Sequence, residues 1–196
     1  MGGRGGKDGK RWRQRFCLAE SGAMAMEFVV IFPILLFMLL GSFVFFDAFR
    51  SNSLAAKVAY AVNDIMSRHE DVDDVDMAYL FALQQKMMQG NVDRLTLRIS
   101  SICFKDGAYK VLWSYTARDE GVPEPAQLTD ATVPLALMPT IPATDSVILT
   151  EIGGRWQPAF TYAGMTERPW NNALVVRPRF VRIIPHETLN PSNVCA

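Results

Sequence analysis

The stretch Ser21-Gly22-Ala23-Met24-Ala25-Met26-Glu27-Phe28, followed by Val29 to Phe46 without one charged residue, decides how the rest of this 196-residue chain is read. Phe28 to Phe46 supplies 19 uncharged, mostly apolar residues. At about 1.5 Å of helical rise each they cover roughly 28 Å, close to the ~30 Å hydrocarbon core of a bilayer. The run therefore predicts a membrane-spanning helix, and Glu27 sits at its mouth.

The neutral formal charge hides an asymmetry. Residues 1–22 carry six basic side chains (Arg4, Lys7, Lys10, Arg11, Arg13, Arg15) against Asp8 and Glu20, and the remainder holds 14 basic against 18 acidic residues. Basic flanks stay in the cytoplasm. The far flank offers only Arg50 and Lys57, with Asp47 nearer the apolar run, so residues 1–22 are expected inside and the body outside. Trp12 and Phe16 among arginines suit a headgroup surface. A nucleic-acid role for the tail lacks any accompanying binding fold. A cleavable secretory signal fits poorly: its apolar core is about 7–15 residues, whereas this run is longer and holds Pro33, and Phe46-Asp47-Ala48 is a poor cleavage site.

Three cysteines follow the same division. Cys17 falls in the cytoplasmic tail, while Cys103 and Cys195 fall in the outer body, where an oxidising space favours a disulfide. That bridge would close a loop of about 90 residues and constrain the unfolded chain by roughly 4–5 kcal/mol in the chain-entropy model.

Beyond Phe46 the apolar positions become periodic. Leu54, Val58, Ala61, Val62, Ile65 and Met66 recur at helical spacing, and neither Gly nor Pro interrupts residues 42–66. One helix from about Ala23 to Ser67 is predicted, half apolar and half amphipathic, with Pro33 and Gly41 as bending points. Asp71-Val72-Asp73-Asp74-Val75-Asp76 then opens a second helix, since acids at a helix start satisfy free amides and oppose the dipole. Val75, Ala78, Tyr79 and Leu83 form its expected buried side, with Gly90 as its stop. A calcium loop is the competing reading of these aspartates, and it fails at its fifth ligand position, held by Val75.

From Leu95 the period changes to two. Leu95, Leu97 and Ile99 alternate with polar residues, Asp106-Gly107 signals a tight turn, and Tyr109, Val111, Trp113 and Tyr115 alternate after it. This predicts a hairpin with one buried face. Residues 122–142 contain five prolines and are expected to wander over the surface with a turn near Leu135. Ser146–Ile152 and Ala173–Ile184 are the remaining strand candidates, the latter demoted to an edge by Pro178. The fold class is thus α+β: a long N-terminal helix followed by a small domain with a second helix and an antiparallel sheet.

No catalytic motif emerges. His69 and His186 lack neighbours at metal-ligand spacing, and both read as surface residues. Nucleophile-elbow, phosphate-loop and dinucleotide signatures are missing, so no enzyme activity, cofactor or metal is expected. Arg177 and Arg179 share a strand face if Pro178 leaves the alternation intact, and would grip carboxylates of a neighbouring subunit. A solvated edge that discourages aggregation is the alternative. Glu27 also has two readings. Near the end of an apolar helix a carboxylate costs up to a few kcal/mol. Either it pairs with an α-amine freed by a cut after Gly22, or it snorkels into headgroups; residue physics alone leaves both open.

Gly22-Ala23-Met24-Ala25-Met26-Glu27-Phe28, with Pro33 in an otherwise aliphatic anchor, resembles the TadE-like proteins of bacterial tight-adherence (Flp) pili, which themselves resemble type IV pilins. Phe28 stands where the related Flp pilins more often carry tyrosine. Ser146 to Glu151 leading to Gln157-Pro158, and Arg177-Pro178-Arg179, also look like the outer part of such chains. The resemblance covers the anchor well and the outer domain loosely. It implies cutting of the Gly22–Ala23 bond by a membrane prepilin peptidase, with Glu27 setting register between neighbouring helices. The related Flp major pilins are much shorter, so a minor pilin or pseudopilin is implied. Expected partners are the prepilin peptidase, other pilin or pseudopilin subunits, the pilus assembly platform and the membrane, with no nucleic acid. The expected boundaries are a leader at 1–22, a transmembrane helix at 23–46 continuing as amphipathic helix to about 67, and an extracytoplasmic domain at 68–196. The expected location is the bacterial inner membrane with a periplasmic domain. The competing expectation is an uncleaved, single-pass, membrane-anchored periplasmic binding module.

Overall fold

The computed structural model describes residues 20–88, 90, 92–143, 145–161 and 164–189, with side chains in the first helix from residue 25 onward. The fold is α+β, as expected. Helix α1 (Glu20–Met66) is followed by helix α2 (Asp74–Met87), then by strands β1 (Val92–Lys105), β2 (Ala108–Arg118), β3 (Ser146–Trp156) and β4 (Arg168–Val176). By contacts the chain divides after Phe43 into two compact units, residues 1–43 and 44–196.

Helix α1 begins at Glu20 rather than near Ala23 and carries Pro33 inside it. In the first unit its large apolar side chains are exposed, among them Phe28, Ile34, Phe37 and Leu39. In the second unit Ala55, Val58, Ala59, Val62 and Met66 are buried, a stripe at three- and four-residue spacing. The two alanines widen the expected stripe, while Ile65, expected within it, is 38% exposed.

Asp73 caps α2: its side chain accepts from the Asp76 N–H at 2.7 Å, and the Asp76 carboxylate faces the Asp73 N–H in return. The aspartate run thus works as a capping box. The buried face of α2 differs from expectation. Val75 and Tyr79 are exposed, at 56% and 71%, and Ala78 is exposed too. Met77, Leu80 and Gln84 are buried instead. A glutamine can lie inside because its Nε2 donates to the Thr96 carbonyl at 3.1 Å, which offsets its desolvation.

All strands pair antiparallel in the order β2-β1-β3-β4. Lys105 faces Ala108 across the hairpin, and Asp106 and Gly107 both have positive φ, 54° and 80°. That is the two-residue type I′ geometry the Asp-Gly pair favours. β2 carries a bulge: Ser101 faces Trp113 but Ile102 faces Val111, leaving Leu112 as the surplus residue. The four alternating residues of β2 therefore do not share one face. Trp113 and Tyr115 join the core formed with α1 and α2, whereas Tyr109 and Val111 join the opposite face.

That opposite face is closed by the proline-rich segment. Leu128, Val133 and Ile141 are buried against Ile102, Val147 and Leu149, so the segment covers apolar sheet surface rather than merely wandering over it. Two single-turn helices, Asp130–Thr132 and Leu135–Leu137, punctuate it.

β3 runs past Ile152 to Trp156 because Gly153 and Gly154 continue the pairing. A Cβ at Gly153 would lie 2.4 Å from Asn171 Oδ1, and one at Gly154 would lie 2.6 Å from the Trp170 ring. A larger residue at either position would thus have to displace the Asn171 or Trp170 side chain. β4 itself spans Arg168–Val176, not Ala173–Ile184. Ahead of Pro178 the chain leaves the sheet. The Arg179 N–H then bonds to the Ser67 carbonyl, Ser146 N–H to the Arg182 carbonyl, and Glu187 N–H to the Val72 carbonyl.

Candidate functional site

The Gly22–Ala23 bond lies in the opening turn of α1. Glu27 and Phe28, one turn further on, are exposed, and the Phe28 ring stacks on Phe32 at a centroid distance of 5.2 Å. Residues 25–66 form a helix long and apolar enough, by length and composition, to cross a membrane. What this end of the molecule offers chemically is an uninterrupted apolar surface with one carboxylate near its start. Among the described residues that surface stays uncovered: Val29, Val30, Leu35 and Met38 are all more than half exposed.

In the second unit, Cys103 lies fully buried in β1. Cys195, its expected partner, falls outside the described residues. Arg177 and Arg179 follow β4 and share no strand face. Arg177 Nη2 donates to the Thr140 carbonyl at 3.1 Å. Arg179 Nη2 pairs with Asp64 Oδ1 at 2.5 Å, which ties the tail to α1. Both guanidiniums remain exposed, and Pro178 is the reason the expected strand face does not form.

His186 corrects the reading that both histidines lie on the surface. It is 1% exposed, with its ring near Trp113 (centroids 5.4 Å apart) and stacked toward Tyr115 (6.4 Å). Its Nδ1 accepts from the Thr188 and Leu189 N–H groups at 3.3 Å. The neutral ring therefore carries its proton on Nε2, which lies 3.6 Å from Asp74 Oδ1. Burial lowers the pKa of this imidazole, with Asp74, Asp73 and Glu187 acting against that shift. Burial also raises the Tyr115 phenol, and Asp74 adds to the rise. The Thr188 hydroxyl lies 3.3 Å from the same Nδ1. The neighbours of this histidine fasten residues 184–189 to the body, as does Trp113 Nε1, which donates to the Ile184 carbonyl at 2.8 Å. Nothing local in the sequence distinguishes His186 from a solvated residue; the signal resides in the chain's return to Val72.

Other polar contacts also escape sequence reasoning. Thr150 Oγ1 donates to Asn63 Oδ1 at 3.1 Å within the core, and Trp156 Nε1 donates to Asp47 Oδ2 at 3.0 Å. Arg98 pairs with Glu151 at 2.5 Å. Asp130 accepts from the Val111 N–H at 2.8 Å, and this bond, with Lys110 beside it, lowers the pKa of its carboxyl.

A groove of about 420 Å³ lies where Arg94, Thr96, Pro123, Arg155, Trp170 and Asn171 converge. Arg94 has a φ of 54°, because the β1–β3 register shifts between Asp93 and Thr96. Arg155 is engaged by Glu167 at 2.7 Å. Among the described residues no group of three or more His, Cys, Asp or Glu side chains is placed to hold a metal ion. Comparison with protein-family models, with curated proteins and with solved structures returns no match to this chain.

Proposed function

We propose that this chain is a structural minor pilin or pseudopilin of a tight-adherence pilus. In this reading a prepilin peptidase cuts it after Gly22 and it assembles with other pilin-like subunits through its apolar helix. The observation that carries the reading is Glu27, exposed at the head of the uncharged run 28–46 and one turn beyond Ala23. Four helical residues span about 6 Å, so an amine freed at Ala23 lies within reach of the carboxylate of its own chain or of a neighbour. An α-amine with a reference pKa near 8 is largely protonated at neutral pH, and the helix dipole adds to its attraction for the acid. The exposed apolar residues of 26–40 suit lipid first and neighbouring helices afterwards. Residues 1–22 then lie in the cytoplasm and the outer unit in the periplasm, where Cys103 pairs with Cys195.

Intact-mass measurement of the membrane form, in cells with and without the peptidase, tests the proposal. The expected result is a chain beginning at Ala23 that reverts to full length when Gly22 is replaced by a bulky residue. Retention of residues 1–22 in peptidase-positive cells removes the pilin reading and leaves an uncleaved, tethered binding module. Cleavage with undiminished subunit incorporation by Glu27→Gln removes the role given to the carboxylate. Faster migration on non-reducing gels, abolished by Cys103→Ser, is expected of the bridge.

A further inference from the structure

The two edges of the sheet are finished differently. Along β2, the Val111 N–H is taken by Asp130, the Ser114 hydroxyl accepts from the Leu128 N–H at 3.0 Å, and the Arg118 guanidinium holds the Val122 carbonyl. The segment after β2 thereby folds back over its own strand. Along β4, among the described residues, nothing bonds the backbone of Arg168–Val176 from the side opposite β3. Pro169 has no N–H to give to β3, so the odd-numbered positions are those that turn their backbone outward. Pro169, Asn171 and Ala173 are also exposed. An unpaired edge of this length is a template for one more strand.

The side chains state what that strand should look like. Trp170 and Val176 are half-buried against the main core, and Val175 against the second cluster. Each end of β4 is basic. Among the described residues, Arg168 is exposed with no ion-pair partner, and Arg177 is exposed and donates to the Thr140 carbonyl. Glu167, next to Arg168 in sequence, is already engaged by Arg155. The two arginines lie nine positions apart, or roughly 30 Å of extended chain.

We propose that the β4 edge is a docking site for an extended segment of another protein that is apolar in its middle and acidic at both ends. The segment adds as a fifth strand by main-chain hydrogen bonds, and its end carboxylates meet Arg168 and Arg177. The inference is independent of leader cleavage, because it uses only the second unit.

The test uses the purified full chain in detergent micelles and a synthetic peptide of about ten residues, alternating valine and threonine between glutamates at both ends, which puts the two carboxylates on opposite faces, as are Arg168 and Arg177. Binding is read by fluorescence anisotropy. The glutamate-ended peptide is expected to bind at least tenfold more tightly than a lysine-ended counterpart, and methylation of its alternate amide nitrogens is expected to abolish binding. The double variant Arg168→Glu, Arg177→Glu should reverse the preference between the two peptides, a result that misfolding cannot imitate. Ala173→Pro, which removes an outward N–H, should weaken binding tenfold without moving the thermal midpoint. Equal binding of both peptides, no binding, or an unreversed preference in the double variant overturns the proposal. So does concentration-dependent dimerisation abolished by Ala173→Pro, which would assign the edge to a second copy of this chain.

Discussion

Residues 26–40 and residues 55–66 belong to one helix, and they show how apolar composition answers to two surroundings. In the first stretch, large apolar side chains on every side are exposed, from 73% at Met26 to 38% at Leu40. In the second, burial follows a helical period at Ala55, Val58, Ala59, Val62 and Met66, while Lys57 and Tyr60 remain outside. Lack of period suits an environment that is uniform around the helix, such as lipid. A period means that one side meets a partner and the other meets water. The same Leu, Val and Met residues thus carry different information according to spacing alone.

Four substitutions separate these environments. Met66→Ala should have the largest effect, about 2–5 kcal/mol of lost stability, because it opens a cavity in a buried site. Chemical denaturation of the full chain in detergent measures it, with Tyr60→Ala within about 0.5 kcal/mol as the exposed control. Leu35→Arg should leave that denaturation curve unchanged yet cost about 3 kcal/mol in membrane insertion, roughly a hundredfold. Carbonate extraction of membranes reads this, and full retention would break the comparison. Asp73→Ala removes the α2 cap and should cost about 1 kcal/mol; an unchanged curve would mean that α2 is held by its packing alone.

The smallest effect is a pH slope. His186 in the unfolded chain protonates near pH 6.5, while burial lowers its pKa in the fold. Stability contributed by the neutral, buried ring is therefore full above that pH. It declines as pH falls from about 6.5 toward the lower folded value, since there the unfolded chain binds the extra proton. His186→Gln should flatten the dependence between pH 7 and pH 5, and an unchanged slope would place the titration elsewhere.

Features encoded over short range were legible in the sequence. Asp106-Gly107 announces its turn, the aspartates announce a helix start, and residues 28–46 announce a long apolar helix because only composition is needed. Features that depend on distant partners were not. Gln84 lies on the buried side of α2 because the Thr96 carbonyl receives it, and no rule of periodicity assigns a glutamine inward while leaving Tyr79 outside. Leu128, Val133 and Ile141 seal one sheet face from an aperiodic segment whose prolines suggest only a loop. His186 acquires its surroundings from Trp113, Tyr115 and Asp74, three residues on two other elements. For the candidate site, the exposed apolar stretch after Glu27 follows from composition alone, whereas the engagement of Arg179 by Asp64 required the fold.

One surplus residue in β2 lets a single strand be read in two frames. Ahead of Leu112 the odd positions look toward the proline-rich cover; beyond it they look toward the helices. Deleting Leu112 would thus do more than shorten a strand. It would force either Tyr109 and Val111 or Trp113 and Tyr115 to change sides, so the deletion sets the two hydrophobic layers in competition for one set of aromatic rings.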